Sequence, residues 1–309
     1  MHLERTTAWD PNRHVLDRYR PLEPLKALVF PPRETLGPVF QAVQPADLTP
    51  RVVIGVKNCD LSALAIHDFV FLKNEPVDPY YARLREQTLI VSCDCTDCRE
   101  SCFCPAVGEQ PYPKAGFDVN LSVLENGCVV EPGSERGQAL IASFKPALAA
   151  PADERLRQRD QNRQALYHRV AGQAESRGLR PGQDLRQAVV KTEEADFWKE
   201  FAADCVECGA CNYICCTCHC FLLRDGRSSD QAPGRLKQWD SCLHKNFARV
   251  AGGANPRAHR TERLYNRFDK KFNFFPALLG RYACDGCGRC AEACTGRIDI
   301  RDVLRKALA

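Results

Sequence analysis

The sequence predicts an α+β fold, with an α/β half over residues 1–150 and a mostly helical half over 151–309. Three features carry that expectation. Short β-branched runs alternate with helical spacing between 51 and 132, helix formers dominate from about 160, and an Ala-, Pro- and charge-rich stretch, PALAAPADERLRQRD, separates the two. A length of 309 residues suits two modest domains, each with a core of its own.

Prolines 11, 21, 24, 31, 32, 38, 45 and 50 crowd the first fifty positions and predict short extended pieces and turns rather than long helices. RVVIGVK (51–57) is β-branched and apolar, as a buried strand is, and LSALAIHDFVFL (61–72) has helical spacing, so strand, tight Cys59-Asp60 turn and helix are expected in that order. TLIVS (88–92) is a second strand that runs straight into CDCTDCRESCFC. FDVNLSVL (117–124) and CVVEP (128–132) form a hairpin about Glu125-Asn126-Gly127, and Ser134 can cap a helix after it. Lone Cys128, in a strand pattern, reads as core, and His67 as a hydrogen-bonded core residue. Residues 160–203 are helical with a break near Gly178–Gly182. They end in EEADFWKEFAADC, where Phe197, Trp198 and Phe201 share one face and a helix delivers the chain to Cys205.

The sequence has 19 cysteines, in three bunches. A secreted disulfide framework needs a signal peptide, whereas MHLERTTAWDPNRH is polar and charged. Cys215, Cys216, Cys218 and Cys220 are too close for mutual bridging, while thiolates converging on one inorganic centre favour such spacing. A reducing, cytoplasmic setting is expected. No run approaches the roughly 20 apolar residues of a membrane-spanning helix. The net charge of +4 is mild, and aromatic residues do not interleave the basic ones, which argues against nucleic-acid binding.

CVECGACNYIC and CDGCGRCAEAC both have the spacing CxxCxxCxxxC. In such ferredoxin motifs three closely spaced cysteines wrap one corner of a 4Fe-4S cubane, and the fourth ligates the other cluster. Cluster one is therefore assigned to Cys205, Cys208, Cys211 and Cys294, and cluster two to Cys284, Cys287, Cys290 and Cys215. Gly209, Ala210, Gly286 and Gly288 suit loops that approach inorganic sulfide closely. The proline that often follows the fourth cysteine is replaced by Cys216 and Thr295. Structural zinc, which prefers paired CxxC units, is the competing use of these thiols, and a zinc-stabilised interaction module is the function it would serve.

The run CxTCxCF, then WDSC (239–242), AGGANPR (251–257) and CDGCGRC resembles the 4Fe-4S dicluster proteins exemplified by beta subunits of sulfhydrogenases and related nickel-iron hydrogenases. One of the chains of anaerobic sulfite reductase belongs to the same group. GVKNCDLSALAIHD, DPYYARLRE, CTDCRESCFC and GSERG extend the resemblance over most of the chain from about residue 50. Arg267-Phe268-Asp269-Lys270 departs from it where the group tends to have a histidine-containing basic stretch.

The resemblance implies an N-terminal α/β domain before a dicluster ferredoxin-like domain, and picks Cys59, Cys95, Cys102 and Cys104 for a possible third cluster. Zinc or free buried thiols are the alternatives there, and Cys93 and Cys98 are extra. Cys218, Cys220 and Cys242 are left for a possible further metal site, completed by Cys216, His219 or His244. Arg257, Arg260, Arg263 and Arg267 recur at helical spacing, as a solvated face or as a docking surface for an acidic partner.

No dinucleotide fingerprint, P-loop or histidine–carboxylate constellation is present, so a non-catalytic electron carrier is expected. The resemblance implies partners: a flavoprotein diaphorase-like subunit handling NAD(P)H and a hydrogenase small subunit. The alternative is electron input to an anaerobic sulfite reductase or a heterodisulfide-reductase-like complex.

Overall fold

The computed structural model describes residues 16, 18–37, 49–144, 148–150, 152–227 and 233–309. The polar N-terminal stretch before residue 15 and Pro11, Pro38, Pro45, Pro146 and Pro151 lie outside the described residues.

Helix α1 (Lys26–Val29) and strand β1 (Arg33–Gly37) lead to β2 (Arg51–Val56), α2 (Asn58–Leu72), α3 (Pro79–Glu86) and β3 (Thr88–Cys93). A 3-10 turn at Cys104–Val107 precedes the hairpin β4 (Val119–Leu124) and β5 (Gly127–Pro132) and the helix α4 (Glu135–Ser143), which Ser134 caps through the Gly137 N–H. Strands order β2-β3-β4-β5, parallel as far as β4 and antiparallel between β4 and β5. Because β2 and β3 run parallel, the segments after them leave the same sheet edge. Cys59 and the 93–104 loop are thus delivered to one place, outside the carboxyl ends of the strands.

The Cys59-Asp60 turn expected from sequence is instead the first turn of α2. Asp60 is held in that position by accepting the Leu25 N–H at 3.1 Å and an arginine at 2.7 Å, and a carboxylate also suits a helix N-terminus.

The chain continues through α5 (Asp153–Glu175), α6 (Leu185–Val190), α7 (Phe197–Asp204) and α8 (Ala210–Tyr213). Strands β6 (Phe221–Arg227) and β7 (Pro233–Trp239) then pair antiparallel, and β1 adds to β7 to give the order β1-β7-β6. This hairpin is not foreseen from sequence, because the exposed β6 lacks the apolar alternation that marks a half-buried strand. Helix α9 (Arg260–Asp269) passes through a π-helical turn (Lys270–Phe274) into α10 (Phe275–Leu279), followed by α11 (Arg289–Glu292) and α12 (Ile300–Leu308).

The largest core gathers Trp198, Phe268, Phe272, Leu304 and the loop residues Phe103 and Val107, so elements from both sides of residue 150 share it. α12 joins through Ile300, Val303, Leu304 and Ala307, spaced three and four apart. Cys128 is exposed on β5, not core, because its strand position faces away from the packed side of the sheet's edge. No helix among the described residues is long and apolar enough to cross a membrane.

Candidate cluster sites

Each CxxCxxCxxxC motif is a loop followed by a one-turn helix, α8 or α11. Gly209 and Gly288, both at φ 73°, begin these helices at equivalent positions. Two residues earlier, Glu207 (φ 56°) and Gly286 (φ 63°) are also left-handed. At 286 only glycine fits, since a Cβ would enter the backbone of Cys104. Glu207 carries a left-handed strain of roughly 1–2 kcal/mol. Its carboxylate is held by the buried guanidinium of Arg263.

The fourth cysteine of the first motif lies with the second motif. Cys284, Cys287 and Cys290 line one cavity together with Cys215 and Cys216. Cys294 is not in that lining, and the Thr295 hydroxyl that follows it lies 3.7 Å from the Cys208 Sγ of the first motif. Burial pushes Cys211 up to about 12 and raises Cys284. Cys287 is drawn down to about 6 by a hydrogen bond from Cys216, and Cys215 is lowered by hydrogen bonds from Cys216 and Cys218 and by the Lys271 ammonium. Lys271 Nζ donates to Cys215 Sγ at 3.2 Å.

A second cavity is lined by Cys59, Cys95, Cys102 and Cys104, the set expected for a third cluster. It also touches Cys98 and Cys287, so it abuts the first. The loop that carries it docks on the second motif through Phe103 N–H to Gly286 O at 2.8 Å. Burial raises these thiols, Cys95 to about 12 and Cys102 to about 11. Cys98 donates to Gln173 Oε1 at 3.7 Å, and Cys93 is fully buried on β3.

Cys220 and Cys242 hydrogen-bond each other, and Cys218 bonds Cys215. Asn212 joins them, donating to Cys242 Sγ at 3.2 Å and accepting from Cys218 at 3.6 Å. His219 Nδ1 lies 3.1 Å from Thr217 O, and His244 Nδ1 2.7 Å from Asp240. Among the described residues no three His, Cys, Asp or Glu side chains gather closely enough to hold a single metal ion. A tetrahedral zinc needs sulfurs about 3.8 Å apart, from its Zn–S bond of about 2.3 Å. Four thiols spread around a cavity, with Arg267, whose buried Nη2 has no partner, among its lining residues, fit the larger cubane.

Residues 204–298 match the family described as a 4Fe-4S dicluster domain. The chain is 31% identical over 298 residues to sulfhydrogenase 2 subunit beta of Pyrococcus furiosus, across 95% of this chain and 86% of that protein. It belongs to the sulfhydrogenase beta-subunit family. No solved structure matches it. As a member of that family the chain is an iron–sulfur, electron-transfer protein of the hydrogenase-subunit class, with its 4Fe-4S dicluster domain over 204–298. That span contains both motifs and Cys218, Cys220 and Cys242, but none of the N-terminal cysteines.

In this sulfhydrogenase beta-family chain the arginine stripe is not one solvated face or docking surface. Arg260 is exposed, but Arg263 and Arg267 are 3% and 5% exposed and point inward, because i, i+4 residues share the helix face that packs on the motif loops. His67 is fully buried with Nε2 2.7 Å from Cys216 O. Lys26, Lys57, Lys271 and the Asp60–Arg289 pair are site residues that sequence reasoning missed. A lysine or arginine beside a cysteine motif was the available signal, but burial of a charge is invisible until the chain folds.

Proposed function

We propose that this chain is the electron-relay subunit between a flavoprotein that handles NAD(P)H and the small subunit of a nickel-iron hydrogenase, in a multi-subunit complex. The observation that supports the reading is that Cys215 of the first motif lines one cavity with Cys284, Cys287 and Cys290 of the second, with the N-terminal cysteine cavity abutting it at Cys287. Cys205, Cys208, Cys211 and Cys294 would hold one 4Fe-4S cluster, Cys284, Cys287, Cys290 and Cys215 a second, and Cys59, Cys95, Cys102 and Cys104 a third. Bound in this way, with four protein thiolates each, a cluster carries one electron at a time and has no open iron for bond chemistry. The chain's own residues fix the thiols and exclude water: Phe103, Trp198, Phe268 and Ile300 pack around the motif loops. Cys208 is exposed beside exposed Val206, which favours the first motif as the point where a partner approaches.

The test is oxygen-free purification from the native host, with identification of co-purifying chains and assay of iron and acid-labile sulfide. About twelve irons per chain are expected for three clusters and about eight for the dicluster domain alone. Bound zinc, or no paramagnetic signal after dithionite, overturns the reading. Co-purification with a sulfite reductase redirects it to a different terminal partner.

A further inference from the structure

Nine lysine and arginine side chains are buried among the described residues. Five are paired with carboxylates: Arg20 with Glu292, Lys237 with Glu34 and Asp78, Arg263 with Glu207, Arg289 with Asp60, and Arg301 with Asp299. Lys26, Lys57, Arg267 and Lys271 have no carboxylate ion pair among the described residues, and every one lies against cysteines. Lys26 Nζ bonds Cys218 O at 3.0 Å, and Lys57 Nζ bonds Cys93 O at 3.3 Å. Lys271 Nζ donates to Cys215 Sγ, to Thr217 Oγ1 at 2.8 Å and to Ala283 O at 3.0 Å. Arg267 Nε donates to Asn212 Oδ1 at 2.9 Å, while its Nη2 is buried without a partner.

A buried cation with no counter-charge is strongly disfavoured. Here the missing counter-charge has a defined place, because Arg267 and Lys271 line the same cavity as Cys215, Cys284, Cys287 and Cys290. Both arise from one stripe, Arg263, Arg267 and Lys271, at successive i+4 positions running from α9 into the π turn, a helical irregularity that often marks functional sites. Glu207 neutralises Arg263, which leaves the other two for the cavity.

We propose that Arg267 and Lys271 set the reduction potential of the cluster held by Cys284, Cys287, Cys290 and Cys215, Lys271 by its charge at the exchanged thiolate and Arg267 by donating its free Nη2 to cluster sulfur. This rests on the cluster reading above. A reduced cluster carries one more negative unit than the oxidised one, so a fixed cation and an N–H donor both favour reduction and raise the potential. No bond forms or breaks; one electron enters. Arg267 also donates through Nε to Asn212, the residue after Cys211 of the first motif, and lines the cavity with Cys290 of the second, so it stands between the two motifs and acts on both clusters of the pair.

The experiment is a dithionite redox titration followed by electron paramagnetic resonance on oxygen-free whole chain, comparing wild type with K271M, K271R, R267M and R267K. K271M is expected to move one titration wave to lower potential by at least tenfold in the reduced-to-oxidised ratio, about 59 mV for one electron. R267M is expected to move two waves downward, and K271R and R267K to recover most of each shift. Unmoved waves in iron-loaded K271M or R267M overturn the proposal, as does a K271R shift equal to that of K271M, which would make the effect one of shape. If methionine at 271 prevents assembly, the R267M and R267K pair decides alone. Wild-type protein lacking iron and acid-labile sulfide would instead refute the cluster reading, before any variant is compared.

Discussion

Removing the Asp60 carboxylate should expose how the two halves of the chain are locked together. Asp60 sits in the first turn of α2, one residue after Cys59, and Arg289 follows Gly288 at the start of α11. Their ion pair is 2.7 Å long, with side chains 2% and 0% exposed, so solvent does little to screen it. Arg289 also donates to the carbonyls of Pro21 and Leu22, at 3.1 and 3.0 Å. Asp60→Ala strands a guanidinium in the interior, and breaking a buried pair from one side costs about 3–5 kcal/mol. At about 2 °C per kcal/mol for a chain of this size, the melting temperature should fall by about 6–10 °C. Thermal unfolding of iron-loaded protein, followed by circular dichroism, measures it. The double variant Asp60→Ala with Arg289→Met should recover much of the loss, because no charge is then left unpaired. A fall under about 2 °C in the single variant, or a double variant as unstable as the two singles summed, would refute the argument.

Two further outcomes follow from the same geometry. Gly286→Ala places a Cβ in the backbone of Cys104 at a left-handed residue, so iron should drop by about four atoms per chain as the N-terminal site is pushed open; unchanged iron would show that the loops do not abut. Burial, first among its causes, pushes the His67 imidazole from 6.5 down to about 3, so the folded chain keeps it neutral while an unfolded chain binds a proton below about 6.5. Its contribution is intact above that pH and is lost as pH falls towards 3, by about 2 kcal/mol at pH 5. His67→Gln should therefore show a smaller drop in melting temperature between pH 7 and pH 5 than wild type, and equal drops would refute it.

Much of the site was legible in the order of residues. The spacing of Cys205 to Cys215 and Cys284 to Cys294 fixes loop-and-turn geometry locally, and glycines at 209, 286 and 288 allow the left-handed backbone that geometry needs. The strands at 51–56 and 88–93, the hairpin at 119–132 and the cap at Ser134 were likewise local consequences of side-chain type, although the first strand is a half-exposed sheet edge, with Val52 and Ile54 open to solvent, rather than the buried strand its apolar run suggests. The hairpin at 221–239 was not, since its sheet is completed by β1, some two hundred residues earlier in the chain.

What the sequence by itself determined is which thiols can gather, because ligand spacing is a property of a few consecutive residues. What only the tertiary structure decided is what surrounds them. Arg263 and Arg267 turned inward, Asp60 found Arg289, and the N-terminal cavity came to rest against Cys287. Whether a charge is solvated, paired or aimed at a cavity depends on the elements packed over it, and these are brought together only when apolar faces far apart in the chain are buried against each other.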